Sequence, residues 1–279
     1  MKRTVLDLSY LQTISPFFQS KLGAYLGRKL FKWCSIDKVN EAHSKHAELR
    51  GAAFTSALLK DPLIEVGYEV HHAERLDGLP EGAFITVSNH PIGSLDGIIL
   101  IDLFAARRPD FRVMVNGILS LISAMDDNFI HVTPDSKRQG PNMQNVNGVR
   151  AALGHLQNGH PLGLFPAGAI SFYYKRTGEV RDHAWTKSMA RLIRKADVPV
   201  YPVYFDFRNS SFFYWLGRIS WKLRTFFIPR EVFNKHGQKA QVYIGEPILP
   251  EKLHSFDDDR QLSDFLYRST YAAKDKANN

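Results

Sequence analysis

Along most of this chain, short apolar runs alternate with longer segments of helical periodicity. Seven runs bounded by turn residues predict strands: Ile64–Val70, Gly82–Val87, Phe111–Val115, Phe129–Val132, Pro161–Phe165, Val198–Phe205 and Ala240–Gly245. Helical spacing predicts helices over Ile98–Ala106, Asn142–Gln157, Thr186–Ala196 and Asp257–Lys274, with a short one over Ile118–Ile122. Val146, Val149, Leu153 and Leu156 make the apolar stripe of the second of these. Pro199 and Pro202 interrupt the Val198–Phe205 run, which assigns it to an edge or an irregular strand.

Residues 1–61 read differently. Leu22, Tyr25, Leu26, Leu30, Phe31 and Trp33 recur at three and four residues among Lys21, Arg28, Lys29 and Lys32, an amphipathic helix with a basic face. A second helix is expected from Ile36 to Lys60, ended by Pro62, with His43 and His46 on its surface. The division is therefore an N-terminal amphipathic helical region over 1–61 and an α/β domain over 62–279. Alternating strands and helices predict the α/β class, with a mixed, largely parallel sheet flanked by helices.

Composition narrows the picture. The 279 residues carry a net charge of +8, which suits an anionic membrane, an acidic carrier protein or a solvated surface. Lys187, Arg191, Arg194 and Lys195 are candidates for meeting an acidic carrier. A single cysteine, Cys34, excludes a disulfide within the chain and a thiolate metal site, and is expected to be a packed residue. No apolar run reaches the roughly 18 residues of a membrane span, and no secretory signal pattern opens the chain. There is no glycine-rich dinucleotide fingerprint and no phosphate loop. Aromatic and basic residues crowd the stretch from Phe212 to Arg230, as at a lipid headgroup boundary. No nucleic-acid motif accompanies them.

The stretch that concentrates chemistry is Ser88-Asn89-His90-Pro91-Ile92-Gly93-Ser94-Leu95-Asp96-Gly97. It joins a predicted strand to a predicted helix, the place where open α/β sheets hold ligands. His90 and Asp96 stand six positions apart, about 600° around a continuous helix, and would diverge on one. Pro91 disfavours helical backbone at His90 and so keeps it in the turn. With Asp96 in the opening helical turn, the two side chains converge. A neutral imidazole can then take a proton from a hydroxyl while a carboxylate holds its other nitrogen. No Gly-x-Ser-x-Gly elbow is present, which favours direct attack by a substrate hydroxyl. A structural histidine capping the turn is the alternative at this point.

The motif resembles the first motif of the glycerolipid and lysophospholipid acyltransferase superfamily, in which four residues usually separate His and Asp. Five separate them here, as in the hemolysin-like branch that includes ornithine- and glycine-lipid O-acyltransferases. Leu164-Phe-Pro-Ala-Gly-Ala-Ile-Ser171, Val198-Pro-Val-Tyr-Pro-Val203, Asp206-Phe-Arg-Asn-Ser210 and Ile244-Gly-Glu-Pro-Ile248 resemble later motifs in the same order. The resemblance covers roughly residues 80 to 250.

What it implies is an acyltransferase-like fold and a peripheral O-acyltransferase on the cytoplasmic face of a membrane. It would move a fatty acyl group from a thioester of acyl carrier protein or coenzyme A to the hydroxyl of a lyso-lipid, with no cofactor and no metal. A monoacylated glycine or ornithine lipid is the expected acceptor, lysophosphatidate the alternative. A lipid-binding protein that has lost catalysis is the other alternative, and a pore-forming hemolysin is disfavoured. The implied roles are His90 as base and Asp96 as its orienting acid, with Asn89, Phe165, Pro166, Gly168, Ser171 and Arg208 around the substrate. Ala167 and Ala169 stand where the resemblance leads one to expect acidic residues, and Arg112 is a weak match to the superfamily's phosphate-binding arginine.

Overall fold

The structure is a computed structural model and describes residues 4–116, 122–132 and 143–275. The chain opens with four helices, α1 (Leu8–Ile14), α2 (Lys21–Trp33), α3 (Ile36–Lys45) and α4 (Gly51–Lys60). Then come β1 (Gly67–His71), β2 (Ile85–Ser88), α5 (Ser94–Ala105), β3 (Arg112–Asn116), β4 (Phe129–Val132), α6 (Met143–Gln157) and β5 (Leu162–Leu164). A small ribbon follows, β6 (Phe172–Tyr174) and β7 (Glu179–Arg181), then α7 (Lys187–Ala196) and β8 (Val200–Asp206). Three short helices, α8 (Ser211–Ile219), α9 (Trp221–Phe226) and α10 (Ile228–Phe233), precede β9 (Lys239–Ile244), α11 (Pro250–His254) and α12 (Asp259–Asp275). The helix expected at Ile118–Ile122 falls almost wholly outside the described residues.

Seven strands form one sheet in the order β1-β9-β8-β2-β5-β3-β4. Every neighbouring pair is parallel except β8 with β9. Side chains alternate across it. Val113, Val115, Val203 and Phe205 pack on α4 and α5, whereas Ile85, Val87, Met114 and Val200 join the core shared with α6, α7 and α12. Helix α5 is buried on nearly every side, which explains why its sequence shows no polar face. A third apolar cluster joins Cys34 and Ile36 to Phe213, Tyr214, Leu216 and Phe227, with Ile170 at its inner edge. It packs α8 and the start of α10 against α2, α3 and the loop that carries Ile170.

Three expectations are corrected. Strand β8 is interior, not an edge or irregular strand, since it lies between β9 and β2. Pro202 is tolerated because its carbonyl points to the β9 side, where it accepts the N–H of Gly245 at 2.7 Å. Its missing N–H would point the same way, one residue beyond the antiparallel pairing, so β2 does not need it. The helix expected over Ile36–Lys60 is two helices, broken where Gly51 takes φ +52. His43 is buried against Phe54 and His46 pairs with Asp61 at 2.9 Å, so they are not surface histidines. Phe54, Leu58 and Leu59 of α4 also sit in the same core as α5.

Candidate active site

The site is built where β2 ends. Asn89 is buried, and its amide meets the backbone of Phe205 both ways: Nδ2 donates to the carbonyl at 3.0 Å, and the Phe205 N–H donates to Oδ1 at 2.7 Å. The side chain thus adds one rung between β2 and β8 beyond the strand end. The His90 N–H donates to Oδ1 of Asp182 at 3.2 Å, and its carbonyl accepts the N–H of Ser171 at 2.8 Å. Nδ2 of Asn209 donates to the carbonyls of Pro91 and Ile92, both at 3.1 Å. The N–H groups of Ile92 and Gly93 donate to Oδ2 of Asp96, both at 2.9 Å. Gly93 has φ +103, and a Cβ there would come within 2.7 Å of Ile170. Only glycine satisfies both constraints.

Asp96 is the third residue of α5 and reaches back over its N-terminus, the return half of a capping box. It is fully buried. The turn places Nδ1 of His90 3.0 Å from the same Oδ2, a contact at ion-pair distance that lies off the line of an aligned hydrogen bond. The imidazole is one-fifth exposed and lies 4.2 Å, centroid to centroid, from the ring of Phe165. With Nδ1 facing Asp96, Nε2 is the nitrogen left to meet a substrate.

The other sequence candidates divide. Phe165 is against His90. Pro166 is buried and its carbonyl accepts from Thr186 at 3.2 Å, while Gly168, at φ +65, closes the turn with an N–H to the Phe165 carbonyl at 3.0 Å. Ser171 is buried, and its hydroxyl donates to Asp182. Asn89 likewise faces the sheet. Arg208 is exposed on the segment after β8. Arg112 opens β3, whereas His90 stands two residues past the end of β2. With β2, β5 and β3 all parallel, Arg112 lies at the opposite end of the sheet. Arg191 and Arg194 of the basic helix α7 pair with Asp259 at 2.9 and 3.4 Å.

Three residues that the sequence reading did not single out hold this site. Asp182, just past β7, is buried. It accepts the N–H of His90, the hydroxyl of Ser171 and Nε1 of Trp185 (3.0 Å), and its own N–H donates to the hydroxyl of Tyr271 on α12 at 2.9 Å. Burial pushes its carboxyl above the usual carboxylate range, against the pull of those donors. Asn209 ties the turn to β8. Arg224, on α9, is buried between the rings of Phe172 and Phe213, and donates to the carbonyls of Ile170 and Ser171, both at 3.3 Å. Asn209 lay within a motif segment already marked. Arg224 lay within the aromatic and basic stretch Phe212 to Arg230 expected at a headgroup boundary, but it turns inward instead; Asp182 carried no signal.

Away from the turn, α2, α8 and α9 share an exposed apolar and basic surface. Trp215, Ile219 and Trp221 are each more than half exposed, as are Leu22 and Trp33 of α2. Trp33 meets Phe227 edge-on at 4.7 Å, which joins the two parts. Beside it, Tyr25, Arg28, Lys29, Lys32 and Trp33 line an open cavity of about 470 Å³. Among the described residues no helix is long and apolar enough to cross a membrane.

Comparison with known proteins gives a consistent picture. The sequence model of a family described as Acyltransferase matches residues 11–279. A protein of Bacteroides thetaiotaomicron named Lyso-glycine lipid O-acyltransferase is 27% identical over 248 residues, 85% of this chain and 86% of that one. A protein of the same name from Phocaeicola vulgatus is 28% identical over 183 residues, 62% of each chain.

Proposed function

The chain belongs to the acyltransferase family, and from that premise we propose that it transfers a fatty acyl group from a thioester to the hydroxyl of a lyso-lipid of the amino-acid type, His90 serving as general base. The observation that carries the reading is the pairing of His90 Nδ1 with the buried Asp96, which leaves Nε2 available at the end of β2. The names of the two relatives support a lyso-glycine lipid as acceptor.

The chemistry follows from the geometry. Nε2 of His90 takes the proton of the acceptor hydroxyl as its oxygen attacks the thioester carbonyl. Asp96 stabilises the imidazolium that forms. That attack makes the ester C–O bond; collapse of the tetrahedral intermediate then restores the carbonyl and breaks the C–S bond, and His90 returns the proton to the departing thiolate. A covalent acyl-enzyme is not required. Cys34 is buried, its thiol pushed up to about 11, and the Ser171 hydroxyl is committed to Asp182. The N–H groups of His90, Ile92 and Gly93 are all engaged, so none of these three is free to hold the oxyanion. The donor is acyl carrier protein or coenzyme A carrying the acyl chain.

In this reading the protein lies on the cytoplasmic face of an anionic membrane through α2, α8 and α9. Their exposed tryptophans suit the headgroup level, and Arg28, Lys29 and Lys32 suit its phosphates. The test is acceptor competition. Purified protein is given an acyl thioester with equal lyso-glycine lipid and lysophosphatidate, and the products are identified by mass spectrometry. Acylated glycine lipid should dominate; exclusive acylation of lysophosphatidate, or no product from either, would reject the reading.

A further inference from the structure

Ala167 and Ala169 leave the loop beside His90 without a carboxylate of its own. One reaches it from Asp182, which lies beyond the β6–β7 ribbon and is 2% exposed. Among the described residues no salt bridge joins this carboxylate to a lysine or arginine. Its partners are an N–H, a hydroxyl and an indole, all neutral donors. The donors come from three places: the catalytic turn (His90), the loop facing it (Ser171) and the segment leading into α7 (Trp185). A fourth element, α12, anchors the Asp182 backbone through Tyr271. Ser171 in turn fixes the other side of the His90 residue, through its N–H to the His90 carbonyl.

We propose that Asp182 is a positioning residue for the reaction: it fixes the main chain of His90 from behind while Asp96 fixes the side chain, and its charge favours the imidazolium formed in the transition state. The proposal rests on the reading of His90 as base. The division of labour is geometric. Asp96 sits on α5 and meets the ring at Nδ1, whereas Asp182 meets the backbone N–H and never competes for the ring. A residue serving packing alone would not need to be a carboxylate, because a buried charge without a cationic partner is costly to keep. The charged and titratable groups around the pair are Asp96 on α5, Arg181 and His183 on either side of Asp182, Tyr267 and Tyr271 on α12 and Arg224 on α9 behind Ser171. All of them are retained in the first variant.

The test is Asp182→Asn in the full chain, which keeps an oxygen for the His90 N–H and removes the charge. The expected result is a folded protein by circular dichroism, with kcat at least about tenfold lower and KM for both substrates within about threefold. The acid limb of kcat/KM should move to lower pH, because a negative charge that favours protonated His90 is gone. A folded variant with wild-type kcat and an unmoved acid limb would overturn the proposal. If Asp182→Asn does not fold, Tyr271→Phe decides instead. It keeps the ring stacked on Tyr267 and removes the hydroxyl that anchors Asp182 and also hydrogen-bonds Tyr267. A lower kcat at unchanged KM supports positioning, and a wild-type kcat rejects it. Retained activity in His90→Ala would reject the base assignment itself, whereas an inactive His90→Ala beside a normal Asp182 variant rejects only the role of Asp182.

Discussion

Oδ2 of Asp96 stands 3.0 Å from Nδ1 of His90 and, from the same atom, accepts the N–H groups of Ile92 and Gly93. One carboxylate oxygen therefore folds the turn and orients the imidazole proposed as base. Removing it has two separable consequences. Asp96→Ala leaves two buried N–H groups unpaired, which costs about 2–4 kcal/mol of stability, and it also lowers kcat by roughly two orders of magnitude or more. Asp96→Asn retains an acceptor for the turn and should lose less stability while still losing turnover. Urea unfolding beside saturation kinetics separates the two effects.

Gly93 is the hinge of that turn. Alanine there meets both a positive φ and the Ile170 side chain, and should destabilise by about 1–3 kcal/mol. The midpoint of chemical denaturation measures it. Gly168 has a positive φ but open space around its missing Cβ, so Gly168→Ala should cost less.

The exposed surface of α2, α8 and α9 should bind anionic vesicles. Reversing Arg28, Lys29 and Lys32 to glutamate should weaken sedimentation with such vesicles by about a hundredfold or more at low salt, at about 1 kcal/mol per cation lost. Binding of the unaltered protein should fall as salt rises. Trp215→Ser with Trp221→Ser should weaken it as well, through lost apolar contact. In each case turnover of short-chain, water-soluble substrates should be retained.

Cys34 supplies a pH test. Burial pushes its thiol up to about 11 from an ordinary value of 9.0. At pH 8 a thiol reagent should leave the native protein unmodified and react once it is unfolded. The unfolded thiol ionises first as pH rises, so between about 9 and 11 the folded state binds more protons and this group's contribution to stability declines. Equilibrium unfolding of Cys34→Ala against wild type across that window isolates the effect.

Most of the seven sheet strands were legible as apolar runs bounded by turn residues, and β1, which is only partly buried, through its alternation. The β6–β7 ribbon was not. Its strands are three residues each, too short to show a period. The place of β8 was misread because proline was judged without knowing which neighbour would need its N–H. Within the site, the convergence of His90 and Asp96 could be read from local backbone rules, Pro91 and Gly93 being inside the same turn. The supports could not. Asp182 lies 92 residues from His90, Asn209 lies 118 from Pro91, and Arg224 lies 53 from Ser171. Single polar residues at such separations carry no periodic signal, and only the folded sheet brings them together.

The proposed reaction depends on His90 acting as the base. Its backbone is held by Asp182 and Ser171 without help from the ring, so His90→Ala should keep the fold. The decisive measurement is acyl transfer from a thioester to lyso-glycine lipid by purified His90→Ala, with its circular dichroism spectrum as control. The expected outcome is a native spectrum and turnover reduced by about a hundredfold to ten-thousandfold. A natively folded His90→Ala that turns over at the wild-type rate would contradict it.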